Sequence, residues 1–264
     1  MENRIGVVSC HLMSLLPFEE TMTRLAHYGI GEIEWFVATD YQARYGQDIF
    51  ENIRRNQEKV GVVSSYHAPY LGEWNLGLVR SEEARERVRE IIDYCSRLGA
   101  TSITLHAGSC RSGEKSSRSQ ALCQVAEVLE TFIPELEKRN LTVCLENNTI
   151  CYDLFALGSQ LEDFFFLFER LPASAVGLNL DTGHSHIMGM TEGLLTHFSS
   201  RLWHTHLHDN DRLSDSHLAP GEGSFDWSDF FWRLKEIKYS GPLVLEFPEK
   251  TGQYENFISE VRKA

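Results

Sequence analysis

The sequence predicts an α/β protein folded as a single eight-stranded parallel barrel, the (β/α)8 TIM barrel, with residues 1–264 forming one domain. Three observations predict it. Apolar strand-like runs alternate with segments of helical length and period, and strict βα alternation favours either a closed parallel barrel or a doubly wound open sheet. Eight such units emerge, and a chain of 264 residues suits a barrel, for which roughly 250 is typical. No G-x-G-x-x-G follows a strand, so the dinucleotide fingerprint of the open alternative is missing.

In order, the pattern reads as strand 4–9, helix 17–29, strand 31–36, helix 47–60, strand 61–67, helix 80–98, strand 101–106 and helix 116–139. It continues as strand 141–146, helix 159–170, strand 175–180, helix 190–200, strand 202–207, helix 226–238, strand 243–247 and helix 253–263. Gly29 and Gly99 follow apolar helical runs where a left-handed residue closes a helix, and Gly61 and Gly241 precede strands in the same way. Longer connections follow strands 2, 3, 4 and 7, at 37–46, 68–79, 107–115 and 208–225, and these loops would shape a pocket. GEG at 221–223 is a turn, and FFFLF at 164–168 is a buried helix face.

Composition narrows the function. The N-terminus MENRIGVV enters a strand directly, with no apolar leader, and no apolar run approaches the roughly 18 residues of a membrane span. A soluble, cytoplasmic protein is expected. The six cysteines, at 10, 95, 110, 123, 144 and 151, show no C-x-x-C pairing and read as free thiols in a reduced compartment. The sequons at Asn140 and Asn147 are then accidental. A net charge of −13 disfavours non-specific attraction to polyanions such as nucleic acid.

Chemistry-bearing groups stand at strand end after strand end. SITLH, LTVCLE, VGLNLD, LWHTH and PLVLE each finish in an acidic or imidazole side chain. Glu146, Asp181, His206 and Glu246 close strands 5, 6, 7 and 8, and a barrel would aim all four at one point above its core. Converging carboxylates without a basic partner repel and protonate. A divalent cation relieves that conflict, and mixed carboxylate and imidazole ligation suits zinc, manganese, cobalt or iron better than calcium. One such group is as readily a satisfied polar residue at a strand end; four in succession are not. His67, His106, His184, Asp215 and His217 form a second tier, enough for a second and third ion or, equally, for substrate hydroxyls and partners of the primary ligands.

HAPY at 67–70, LHAGS at 105–109, LEN at 145–147, LDTGH at 180–184, HLHDND at 206–211, DSHLAPGEG at 215–223 and VLEF at 244–247 resemble, in order, the xylose isomerase-like TIM barrels. That superfamily joins sugar and sugar-phosphate isomerases and epimerases with AP endonuclease family 2, the endonuclease IV type. The resemblance to endonuclease IV implies counterparts of all nine trinuclear zinc ligands: His67, His106, Glu146, Asp181, His184, His206, Asp215, His217 and Glu246. The N-terminal third departs from that pattern. GVVSCHLMSLLPFEE lacks the endonuclease start, and strand 2, GEIEWF, carries Glu34, which looks like the sugar isomerase branch.

Similarity to the ketose 3-epimerases implies that Glu146 and Glu246 are the catalytic pair, flanking a sugar while both contact one metal, with His184 and Arg212 fixing substrate oxygens. The expected function is therefore a divalent-metal-dependent (Zn or Mn, one to three ions) isomerase or epimerase of a small sugar or sugar phosphate. The alternative is a trinuclear zinc AP endonuclease, for which alone nucleic acid is the partner. A barrel that has lost catalysis and serves as a ligand sensor is a third reading, disfavoured because no acid or base position is missing. Homo-oligomerisation is compatible with any of them.

Trp35 and Trp74 are candidate substrate-stacking residues, with Phe36 and His11 nearby, although each taken singly reads more readily as packing. Arg111, Lys115 and Arg118 after strand 4 could hold a phosphate, a solvated basic loop being the plainer reading. Tyr41, Arg44 and Tyr45 stand where a nuclease would enter a DNA groove, but three residues make no basic stripe.

Overall fold

A computed structural model describes residues 3–10, 18–36, 49–153, 155–248 and 252–263. His11, Tyr41, Arg44 and Tyr45 lie outside these residues. Eight parallel strands pair in sequence order, and β1 (Ile5–Val8) closes onto β8 (Leu243–Leu245) to complete the barrel. Between them run β2 (Glu32–Phe36), β3 (Val63–His67), β4 (Ser102–His106), β5 (Thr142–Glu146), β6 (Val176–Asp181) and β7 (Leu202–Leu207). The outer layer comprises α1 (Phe18–Tyr28), α2 (Ile49–Val60), α3 (Ser81–Leu98), α4 (Lys115–Arg139), α5 (Leu161–Arg170), α6 (Thr182–Met188), α7 (Thr191–Phe198), α8 (Trp227–Glu236) and α9 (Gln253–Lys263). Among the described residues no helix is long and apolar enough to cross a membrane.

The apolar core lies between barrel and helices. Ile33, Ile103, Val143, Leu178 and Leu245 on the strands meet Ile53, Ile91, Val125, Leu167 and Leu194 on the helices, all buried. Helix ends follow the expected chemistry: Gly99 (φ 69°) and Asn140 (φ 54°) take the left-handed conformation that closes α3 and α4.

Alternation gives each strand one face toward the helices and one toward the barrel axis. In β2 the outward face is Ile33 and Trp35, and the Trp35 indole donates to Ser64 Oγ at 2.7 Å in the helix-facing layer. Glu32, Glu34 and Phe36 face inward. Trp35 therefore does not reach the cavity, which corrects its expected role against substrate.

Among the described residues, the strands and helices follow the order of the sequence reading, with α6 and a 3-10 turn at Gly72–Trp74 added. α6, absent from that reading, begins where Asp181 accepts the His184 amide at 2.6 Å, so β6 runs straight into a short helix. Its sequence TGHSHIM has no apolar period to betray it.

Candidate metal centre

The strand ends deliver their polar groups to one place. His67, His106, Glu146, Asp181 and His206 are the last inward residues of β3 to β7, and Glu246 follows β8 with its amide still bonded to Leu207 O at 3.1 Å. α6 adds His184. The loop after β7 returns through an antiparallel Asp209–Leu218 pairing that brings Asp215 and His217 over the site. Of these nine groups, only His217 is more than marginally exposed.

Their atoms fall into three groups that share ligands. His67 Nε2 and His106 Nε2 each lie 3.3 Å from Glu146 Oε2. His206 Nδ1 lies 3.4 Å from Glu146 Oε1, 3.9 Å from Asp181 Oδ2 and 3.0 Å from Glu246 Oε2. His184 Nε2 and His217 Nε2 each lie 3.3 Å from Asp215 Oδ2.

Four of the imidazoles have their outer nitrogen already engaged. His67 Nδ1 donates to Ala68 O (3.0 Å), His184 Nδ1 to Asn147 O (3.0 Å), His217 Nδ1 to Glu246 O (2.7 Å) and His206 Nε2 to Glu34 Oε1 (2.8 Å). A carbonyl or carboxylate only accepts, so in the neutral ring the inner nitrogen carries a lone pair aimed at carboxylate oxygens. Lone pair against carboxylate is repulsive unless a proton or a cation stands between. Glu146 Oε2, Glu246 Oε2 and His206 Nδ1 are buried and make no hydrogen bond. With bonds of about 2.0–2.1 Å, a tetrahedral zinc site has ligand atoms about 3.3–3.4 Å apart, close to the spacing seen here. The residues present fit a divalent ion, which Glu146, Asp181, His206 and Glu246 would hold, with further donors on either side.

The charges agree. Burial alone would raise the Glu146 and Glu246 carboxyls, but His106 and His206 for the first, and His206 and His217 for the second, hold both well below the usual carboxylate range. Burial would lower His206, yet Glu246, Glu34 and Glu146 lift it well above the ordinary imidazole value. His217 is lifted against burial by Asp215 and Glu246, to about 9. His106 goes the other way, pushed down to about 4 by burial.

Above the cluster opens a cavity of ≈ 490 Å³. Cys10, Phe36, Tyr70, Leu71 and Tyr152 supply its thiol, aromatic and aliphatic wall, and no lysine or arginine lines it among the described residues. Burial, with Glu146 and Glu246 nearby, lifts the Tyr70 hydroxyl to about 12, so it stays a neutral hydrogen-bonding group.

Three expected substrate contacts are not in this cavity. Besides Trp35, Trp74 is half-buried under the Arg87 guanidinium, 5.1 Å from the ring, while its neighbours Leu71 and Asn75 reach the cavity. Arg212 is exposed in a tight turn (φ 69°) whose amide is held by Asn210 Oδ1, and its guanidinium lies by Gly189, beyond α6. The basic residues after β4 are also elsewhere: Arg118 pairs with Asp163 (2.8 Å) and Arg111 donates to Leu78 O (2.9 Å).

Sequence reasoning missed His208. Its Nε2 lies 3.0 Å from both Asp181 oxygens, and its ring stacks on His217 at 4.0 Å. The signal was present, since 204, 206 and 208 share one face of an extended chain.

Comparison with known proteins places this architecture. The chain matches the family model for the xylose isomerase-like TIM barrel over residues 22–262. A D-tagatose 3-epimerase-like protein superimposes with a TM-score of 0.80 at 20% identity, over 98% of this chain and 96% of that one. An AP endonuclease, family 2, from Brucella melitensis gives 0.79 at 18% identity, over 99% and 98%. The IOLI protein with a bound zinc atom gives 0.77 at 16% identity, over 98% and 95%. The chain spans about half the length of several curated relatives that it matches: 52%, 55% and 56%.

Proposed function

Because the chain belongs to the xylose isomerase-like TIM-barrel family, we propose that it is a divalent-metal-dependent isomerase or epimerase of a small sugar, with Glu146 and Glu246 as its acid–base pair. The observation that carries this reading is the placement of both glutamates, each beside His206 Nδ1 (3.4 and 3.0 Å), under a cavity whose described lining holds no lysine or arginine. Such a wall suits an uncharged polyol better than a sugar phosphate or a nucleic acid backbone. Aromatic rings such as Phe36, Tyr70 and Tyr152 suit the apolar faces of a sugar.

A divalent ion between Glu146, Asp181, His206 and Glu246 would polarise the substrate carbonyl. One glutamate takes the proton from the carbon beside that carbonyl. The other, which must first take up a proton from water, delivers it to the opposite face of the same carbon for epimerisation; for isomerisation the proton goes to the carbonyl carbon while the neighbouring hydroxyl passes its own proton to the former carbonyl oxygen. His184 and Tyr70 hydrogen-bond substrate oxygens from the cavity wall, and Leu71 and Phe36 help exclude bulk water.

A panel of ketoses and aldoses incubated in D₂O with metal-loaded protein tests this. Turnover with deuterium incorporation is expected, reduced about 10²–10⁴-fold in Glu146→Gln and Glu246→Gln. Undiminished turnover of an identified sugar in both variants would overturn it.

One observation favours a second reading, a trinuclear zinc phosphodiesterase: the same 3.3 Å spacing recurs at the His67–His106 and the His184–Asp215–His217 groups. It requires close to three zinc ions per chain and cleavage of a duplex carrying an abasic site, lost in His106→Ala. No cleavage at high enzyme concentration would dismiss it.

A further inference from the structure

Beneath the ligands, the barrel axis is filled by a buried polar chain that the proposed chemistry does not use. Glu32 and Glu34 of β2, Ser65 of β3, Thr104 of β4, Asn179 of β6 and His204 of β7 are all buried. Arg4, half-exposed at the opposite end of the barrel, donates to Glu32 Oε2 at 2.8 Å. Glu32 Oε1 accepts from Ser65 Oγ at 2.8 Å and lies 3.2 Å from His204 Nε2, which is also 3.3 Å from Glu34 Oε2. Thr104 Oγ1 donates to Glu34 Oε2 at 2.9 Å, leaving Glu34 Oε1 to accept from His206 Nε2 at 2.8 Å.

Withdrawing two carboxylates from water costs several kcal/mol each unless their oxygens are well satisfied. Here every Glu32 and Glu34 oxygen has a partner, and the chain terminates on the ligand His206. His67, His184 and His217 are backed by neutral carbonyls. Against these three, His206 is backed by a carboxylate.

We propose that Glu34 is a positioning residue for the metal centre. Its carboxylate accepts a hydrogen bond from His206 Nε2–H, fixes the tautomer whose Nδ1 lone pair enters the site, and strengthens that nitrogen as a donor, while Glu32 and His204 hold Glu34 from below. This rests on the metal-site reading given above. The chain is a hydrogen-bond support rather than a second ion site, because the oxygens of Glu34 and Glu32 are already occupied by Thr104, Ser65 and Arg4.

The test is zinc affinity of apo protein, by competition with a chromophoric chelator, in wild type, Glu34→Gln and Glu146→Gln. Glu34→Gln, which keeps volume but loses charge, is expected to weaken zinc about 10–100-fold. Ring ¹⁵N spectra of the zinc-loaded wild type are expected to show His206 protonated at Nε2 and metal-bound at Nδ1. In Glu34→Gln the Nε2 proton should move upfield, a change that mere loosening of the fold does not produce. Wild-type affinity in Glu34→Gln, or zinc on His206 Nε2, would overturn the proposal, and the wild-type spectrum decides even if the variant does not fold. A wild type that binds no zinc, or a Glu146→Gln that binds as tightly, would instead remove the metal-site reading beneath it.

Discussion

Gly183 has no room for a side chain. A Cβ there would fall 1.9 Å from His208 Cε1 and 2.4 Å from Nδ1, so even a methyl must push the imidazole off Asp181. Gly183→Ala is expected to cost about 1–3 kcal/mol in urea unfolding through overpacking. It should also weaken zinc about 10–100-fold, since His208, together with the His184 amide, holds Asp181. A variant with wild-type zinc affinity would show that His208 has no such part. At this scale the nine candidate ligands were legible because each sits at a strand end or in a short motif. His208 was not, because it lies one residue past the end of β7, where the inward period continues beyond the strand's last apolar residue, Leu207. The same period, counted from Glu34, excludes Trp35, whose aromatic ring near a strand end suggested a substrate wall.

The loop between β7 and α8 carries Asp215 and His217, and Asp209 holds it. Asp209 Oδ1 accepts the amides of Asn210 (2.8 Å) and Phe225 (3.1 Å), and Oδ2 accepts the Gly221 amide (2.9 Å) and the Trp227 indole (2.9 Å). Asp209→Asn keeps the shape but turns one acceptor into a donor, stranding buried N–H groups. A loss of about 1–3 kcal/mol is expected, with faster proteolysis within 211–217. Unchanged proteolysis would mean that other contacts hold the loop. The sequence marked this segment as long and ligand-bearing, yet nothing in DND announces an acceptor for four donors. That role depends on residues 221 to 227 folding back, which is a tertiary fact. α6 escaped notice for a similar reason, its start depending on the Asp181 cap rather than on its own sequence.

Across the molecule, the linked charges set a pH profile. The Glu146, Glu246 and Asp215 carboxyls are depressed by their histidine partners against burial, so their contribution is present above the unfolded value of about 4 and lost only as pH falls further. His217 is raised to about 9, so its contribution is complete below the unfolded value of about 6.5 and disappears as pH rises through about 9. Chelator-treated protein should therefore lose Tm between about pH 6.5 and 9, more than His217→Gln does. Metal affinity should rise over that interval as ligands shed protons, so the gap between loaded and stripped Tm widens with pH. A constant gap in calorimetry would contradict this. The barrel itself was legible at this scale from alternation and length, because each strand's outer face is apolar. The polar axis was not, because Glu32 and His204 are 172 residues apart and meet only once the barrel has closed.

That axis means the protein forgoes some of the cohesion its fold allows. Most barrels of this class fill the same layers with branched aliphatic side chains. Here Glu32 and His204, with no ligand to touch directly, occupy the place where Leu and Met would pack. Replacing the two together is expected to leave stability unchanged or raise it by about 1–4 kcal/mol, while impairing the metal centre. If the double variant proves both tougher and idle, the middle of this barrel is a tolerated weakness kept for its work, and the surrounding helices are what make it tolerable.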